Sequence, residues 1–324
     1  MNREMRRTVA ISEIMQSLRQ IFKAIQNYSQ EVSKTFGITG PQLWALKTIS
    51  GDGCLSPGIP EFQKMVLSYY QQHGRDMPWR HTQDPYHILV SEIMLQQTQV
   101  ERVTKKYPEF LHAFPDFTTL ALAPLGEILA VWQGMGYNRR AISLQKCATR
   151  VLKEYDGLLP SDIETLVTFP GIGRATASSI AAFAFNMPVV FIETNIRRVF
   201  IHYFFTGVKT VNDAEILPIV RKALYHENPR VWYWALMDLG SALKKDVANP
   251  NQRSAHYMRQ APFEGSDRKI RGTIIRMVLC EPGISEKKFM DIWNGDPTRI
   301  KKILCTLQSE GFITRRKDRF FVSE

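Results

Sequence analysis

The stretch that most limits how this chain can fold is residues 85–100. Asp84 precedes Pro85, which suits a helix N-terminus with proline in the first turn. Ile88, Leu89, Val90, Ile93, Met94 and Leu95 then fill most positions, so the run predicts a helix deep in a core. One carboxylate, Glu92, stands among them. Burying an ionised carboxylate without a partner is costly. Two readings follow: Glu92 turns to water, or burial raises its pKa and makes it a general acid. Gln96, Gln97, Thr98 and Gln99 come next, uncharged donors and acceptors that suit the edges of bases.

The rest of the pattern is helical. Helices are expected over 99–114, 125–133, 139–155, 163–168, 175–185, 194–205, 213–225 and 230–244. Nothing there alternates with period two over useful length, so a mainly α fold without a sheet is expected in this part. An all-helical domain must build its site in a groove between helices. Gly51-Asp52-Gly53 and Ser56-Pro57-Gly58 read as a linker after an N-terminal helical appendage. The divisions are therefore 1–60 appendage and linker, 61–243 helical core, 244–266 irregular basic loop, and 267–324 a small C-terminal unit. That last unit reads helix (270–279), helix (286–293), helix (297–310) and then a hairpin around Arg315-Arg316-Lys317-Asp318-Arg319. This is the outline of a winged helix, with an extra DNA contact as one reading and a protein-interaction module as the other.

Composition narrows the partner. The chain has 324 residues, a net charge of +11 and a pI near 9.5, which points to a polyanion and first to nucleic acid. No run of eighteen apolar residues occurs, so no membrane span is expected. The first residues lack a secretory h-region. The four cysteines, Cys54, Cys147, Cys280 and Cys305, form no CxxC pair. Reduced thiols in a cytoplasm, at the nucleoid, fit this usage.

Two further stretches carry chemistry. Phe169-Pro170-Gly171-Ile172-Gly173-Arg174-Ala175-Thr176 ends one helix and opens another, as a helix-hairpin-helix does. Its glycines let a phosphate reach main-chain N–H groups at a helix N-terminus, which positions a duplex without reading its sequence. Gly171, Gly173, Arg174 and Thr176 are the candidate phosphate ligands here, joined by Asn195 and Arg198 from the next motif. That motif, Val189–Val199, is an apolar run delivering Glu193 to a helix start, where the local N–H groups favour the anion. A helix cap or an ion pair with arginine is the plainer reading of Glu193. Glu92 as the acid and Glu193 as the anion form the kind of pair that glycosidic cleavage through a cation-like transition state needs.

Several motifs in order now support a resemblance. They are Arg75-Asp76-Met77-Pro78-Trp79, Ser91–Val100, Gly134-Met135-Gly136-Tyr137, Pro170–Thr176, Glu193–Val199 and Met237-Asp238-Leu239-Gly240. Residues 61–243 resemble the helix-hairpin-helix (HhH-GPD) DNA glycosylases, most of all the MutY-type A/G-specific adenine glycosylases. The resemblance implies a two-lobed all-helical core and a monofunctional hydrolase of base excision repair. It implies a mispaired adenine, opposite 8-oxoguanine or guanine, flipped from double-stranded DNA by a monomer. Glu92 would protonate adenine N7 and assist the water, and Glu193 would stabilise the oxocarbenium ion. Arg75, Met77 and Trp79 would line the base pocket, and Gln97 and Tyr137 would wedge the opened stack. Residues 18–56 separately resemble the first helices of MarR-type regulators.

Four departures qualify this. Glu193 stands where the family has aspartate. The four-cysteine loop of the family's 4Fe-4S cluster is missing, so no cluster, metal or other cofactor is expected, and Lys244, Lys245, Arg253 and Arg259 are candidates for that loop's DNA contacts. Ala175 stands where bifunctional relatives carry the Schiff-base lysine, so no AP-lyase activity is expected. The winged-helix-like unit replaces the family's 8-oxoguanine-sensing domain. A thymine or uracil mismatch glycosylase, or an inactive DNA-binding regulator on the same fold, are the alternatives.

Overall fold

The computed structural model describes residues 57–258, 263–293 and 297–323. The helical appendage expected over 1–60 lies outside these apart from 57–60, and so does Arg259. The chain falls into two compact units that interleave along the sequence. Among the described residues, one holds 57–74, 194–223 and 234–255, and the other holds 75–193, 224–233 and 256–323.

The first unit is built from α1 (Ile59–His73), α9 (Thr194–Phe204), α10 (Asp213–Lys222) and the C-terminal part of α11 (Pro229–Asp246). Phe62 of α1 is fully buried, and its ring meets those of Phe200, Tyr203 and Phe204 edge-on at 5.4, 5.7 and 4.9 Å. Gly240 lets α11 press against the start of α9, because a Cβ there would stand 2.4 Å from the Asn195 carbonyl oxygen. Arg198 bolts the same junction. It is 3% exposed and donates to the Gly240 carbonyl at 2.6 Å, Asn195 Oδ1 at 2.7 Å and Asn249 Oδ1 at 3.2 Å. Arg197 forks onto Asp213 at 2.7 and 2.6 Å and ties α9 to the first turn of α10.

In the second unit α2 (Pro85–Leu95) is the central rod. Asp84 caps it by accepting from the Tyr86 and His87 amides at 2.8 and 3.4 Å. Tyr86, Ile88, Leu89, Val90, Ser91, Ile93 and Met94 are all buried, as expected of a helix covered on most sides. It packs on α8 (Arg174–Phe185), whose buried Ala and Ser side chains allow close approach, with α3 (Val100–Ala113) and α6 (Arg139–Glu154) beside it. The expected single helical run over 85–100 is corrected: α2 stops at Leu95, residues 96–99 turn, and α3 starts at Val100. The short helix α4 (Phe117–Leu122), capped by Asp116 through the Thr119 amide at 2.7 Å, was not expected from the sequence. α5 (Leu125–Val131) and the one-turn α7 (Ile163–Leu166) complete the helical part.

The C-terminal part of this unit follows the winged-helix outline. α12 (Asp267–Cys280), α13 (Glu286–Ile292) and α14 (Pro297–Ser309) precede a hairpin of β2 (Ile313–Arg316) and β3 (Arg319–Val322). A two-residue strand, β1 (Ile284–Ser285), adds to the hairpin in the order β1-β3-β2, antiparallel throughout. Ile274, Val278, Phe289, Ile303, Leu307, Phe312 and Phe320 form its core.

Gly240→Ala is expected to lower unfolding stability by about 1–3 kcal/mol, since backbone rather than a movable side chain stands in the way of the new methyl. Denaturant titration against Gly272→Ala, where no atom lies within 4 Å of the added Cβ, checks this.

Candidate active site

Glu92 sits on α2 between the buried Ser91 and Ile93. The residue is half-buried, yet protein surrounds its carboxyl, and this loss of water pushes its pKa up to about 8. A hydrogen bond with Ser179 of α8 opposes the shift, the charge of Glu193 adds to it, and the charge of Arg80 opposes it. Ser179 is itself buried and donates to the Ala175 carbonyl at 3.0 Å. At neutral pH Glu92 is therefore mainly protonated, with a second carboxylate near enough to be felt. The sequence pointed to both glutamates. It did not reveal Ser179 or Arg80.

Glu193 is the last residue before α9 and is half-buried. Arg80 belongs to a 3-10 turn, Pro78–Arg80, and donates to the Arg75 carbonyl at 3.0 Å, which closes the loop that carries the expected pocket residues. In that loop Met77 and Trp79 are buried, Trp79 meets Tyr107 edge-on at 5.6 Å, and Arg75 is half-buried.

The end of α2 is held by a residue that the motif reading passed over. Arg140 on α6 is 7% exposed. One guanidinium nitrogen donates to the carbonyls of Ile93, Met94 and Gln96 at 3.0, 2.7 and 2.7 Å, which are groups left open where the helix stops. The other donates to Thr98 Oγ1 at 2.9 Å and to the Met135 and Gly136 carbonyls at 3.1 and 3.0 Å. Burial lowers its pKa to about 10, so it stays charged at neutral pH. Arg140 thus fastens two loops at once, and each presents an exposed side chain on a left-handed residue: Gln97 with φ +54° and Tyr137 with φ +46°. Such φ values cost a non-glycine residue roughly 1–2 kcal/mol. The surrounding bonds must over-determine them.

The helix-hairpin-helix turn is tied to the same place. Gln96 donates to the Gly171 carbonyl at 3.0 Å and to Thr176 Oγ1 at 3.2 Å. Gly171 has φ +77°, and a Cβ there would meet Ser143 of α6 at 2.9 Å, so glycine is required twice over. Gly173 is the N-cap of α8, and no side chain caps the first-turn amides of that helix. Arg174 is exposed and pairs with Glu164 at 2.9 Å.

Two of the expected phosphate ligands make contacts within the protein. Arg198 is enclosed, with its donors on Gly240, Asn195 and Asn249, and Asn195 Oδ1 is one of those acceptors. Both belong to the packing of α9 on α11. Arg253 is likewise turned inward: it donates to the carbonyls of Phe205, Val208 and Ile201, capping the end of α9. Lys244 and Lys245 are exposed. An iron–sulfur cluster needs thiolates. No cysteine lies between Cys147 and Cys280, and the buried centre of this segment is Asn251, which donates to the Thr194 carbonyl at 2.8 Å. These residues do not fit a cluster.

The likenesses of the chain agree with this geometry. Residues 90–217 match the model of the HhH-GPD superfamily of base excision DNA repair proteins. The chain is 31% identical over 271 residues to an adenine DNA glycosylase of Mycolicibacterium smegmatis, covering 78% of this chain and 92% of that protein. It is 31% identical over 278 residues to an adenine DNA glycosylase of Mycobacterium tuberculosis, covering 78% and 90%. Among solved structures it is similar to a thermostable thymine-DNA glycosylase, with 28% identity, a TM-score of 0.53, and coverage of 56% of this chain and 86% of that one.

The raised pKa of Glu92 has a consequence for stability. Unfolded, the group ionises near the ordinary glutamate value of 4.5, whereas folded it holds its proton up to about 8. Between those values the folded chain binds more protons, so this contribution is fully present at low pH and is lost as pH rises toward 8. Glu92→Gln removes it. Thermal melts are expected to show Glu92→Gln gaining on the native protein from pH 5 to pH 8; a constant difference would count against the shifted pKa.

Proposed function

This chain belongs to the HhH-GPD superfamily of base excision DNA repair proteins, and on that footing we propose that it is a monofunctional DNA glycosylase that removes adenine mispaired with 8-oxoguanine or guanine. The observation that carries this reading is a carboxylic acid, Glu92, kept protonated at neutral pH beside a second carboxylate, Glu193.

The target base leaves the stack and enters a pocket formed with Arg75, Met77 and Trp79, while Gln97 and Tyr137 hold the opened duplex. Glu92 gives its proton to adenine N7, so the base departs neutral as the bond to C1′ breaks. Positive charge grows on the sugar, and the Glu193 carboxylate stabilises it. Glu92, now ionised, takes a proton from the attacking water. The oxygen bonds to C1′ and the acid is restored. The turn Gly171–Arg174 and the first amides of α8, with Thr176, hold the phosphate backbone. The methylene that Glu193 adds relative to aspartate moves the charge along its arm, so the rate is sensitive to this residue.

Release by water rather than by an amine follows from Ala175, which has no nucleophile in the first turn of α8. The segment 244–256, folded around Arg253 and Asn251, supports a metal-free protein. A second reading is favoured by the likeness to a thymine-DNA glycosylase: removal of thymine or uracil opposite guanine.

Duplexes carrying A:8-oxoguanine, A:G, T:G and U:G, incubated with the protein and then treated with alkali, are expected to break at adenine. Breakage confined to T:G or U:G favours the second reading, and none at all with retained binding leaves a DNA-binding regulator. Excision should decline as pH rises through about 8, where Glu92 gives up its proton. Glu92→Gln should lose about 10²–10⁴-fold in rate and keep binding. No strand break without alkali and no borohydride-trapped complex are expected. Purified protein should be colourless; stoichiometric iron by metal analysis would overturn the metal-free proposal.

A further inference from the structure

Tyr137 does not stand alone on its loop. Its hydroxyl accepts a hydrogen bond from Arg268 Nη1 at 2.9 Å, and Arg268 is on α12, the first helix of the winged-helix part. The ring lies against Arg140, whose guanidinium carbon is 5.5 Å from its centroid. A second fastening lies nearby. Glu310, just past α14, binds both Arg139, at the first turn of α6, and Arg271, one turn along α12 from Arg268. A carboxylate shared by two guanidinium groups, one from each side, fixes the two parts in register. Val322 at the end of the hairpin also reaches α5, where a Cβ on Gly126 would lie 3.9 Å from it.

We infer that the winged-helix part is a working piece of the duplex-opening surface, with Arg268 as the positioning residue for Tyr137. This rests on the reading of Tyr137 as a wedge. A wedge must hold its ring against the push of a re-stacking base, and a left-handed backbone alone does not fix χ1. Arg140 holds the loop and one face of the ring. Arg268 holds the far end, so that the phenol is kept between guanidinium groups from two parts of the chain.

The test is a double-mutant cycle in the full chain with Tyr137→Phe, Arg268→Ala and the two combined. Phenylalanine keeps the ring and removes only the bonded oxygen. Two readouts are taken: single-turnover base release, and fluorescence of 2-aminopurine placed beside the target base, which reports unstacking whether or not excision follows. Each single change is expected to lower opening about three- to tenfold, and the double no further. Arg268→Lys should restore part of the loss. Opening unchanged in both singles, or a double that equals the product of the two, overturns the inference. Tyr137→Ala separates the underlying reading: if it opens DNA normally, the wedge itself is wrong. If Tyr137→Ala fails while Tyr137→Phe and Arg268→Ala open normally, only the positioning by Arg268 is wrong.

Discussion

The buried guanidinium of Arg140 is what the two exposed loops of the second unit depend on. α2 must stop abruptly after Leu95 for Gln97 to be presented, and an abrupt stop leaves carbonyls open in a place with little water. Arg140 answers them with charge-assisted bonds and, with its second nitrogen, fixes the Met135 and Gly136 carbonyls of a loop forty residues away in sequence. The two left-handed residues are the visible result. Lysine could not do this, because a point charge with three rotating donors lacks the flat fork that reaches both loops.

The two carboxyl groups are placed by a different means. Glu92 is an acid because apolar neighbours on α2 and the Ala and Ser face of α8 keep water from it, and Ser179 and Arg80 temper that effect without cancelling it. Large side chains on α8 would hold the helices apart and let water back in. The small residues of α8 are thus as much a part of the acid as the carboxyl group.

Much of this was legible beforehand, and what was missed has physical reasons. Strong helical periodicity located most helices of both units, and the Pro-Gly-Ile-Gly turn and the glutamates announced themselves by being out of place in apolar runs. The break after Leu95 was not visible, since Gln96–Gln99 have no proline or glycine to mark it and the stop is imposed from α6. Arg140 had a signal that went unused: it shares the spacing of Leu144, Cys147, Ala148 and Val151, the buried stripe of α6. Arg198 and Arg253 misled for the opposite reason. In a basic protein an arginine invites a phosphate, and composition cannot tell a guanidinium that faces solvent from one that closes a helix end.

Glu193 is the final residue of a segment, and at Thr194 the chain passes into the other unit. Both carboxylates therefore belong to one compact body, joined by its own packing. Their electrostatic coupling is preassembled: it is set when that body folds and is inherited by every duplex it meets. Substitutions in the first unit remote from Thr194, such as at Phe62 against the far end of α9, can then disturb the stability of the chain while leaving the relationship of the two carboxyl groups intact, so that loss of abundance and loss of chemistry become separable defects.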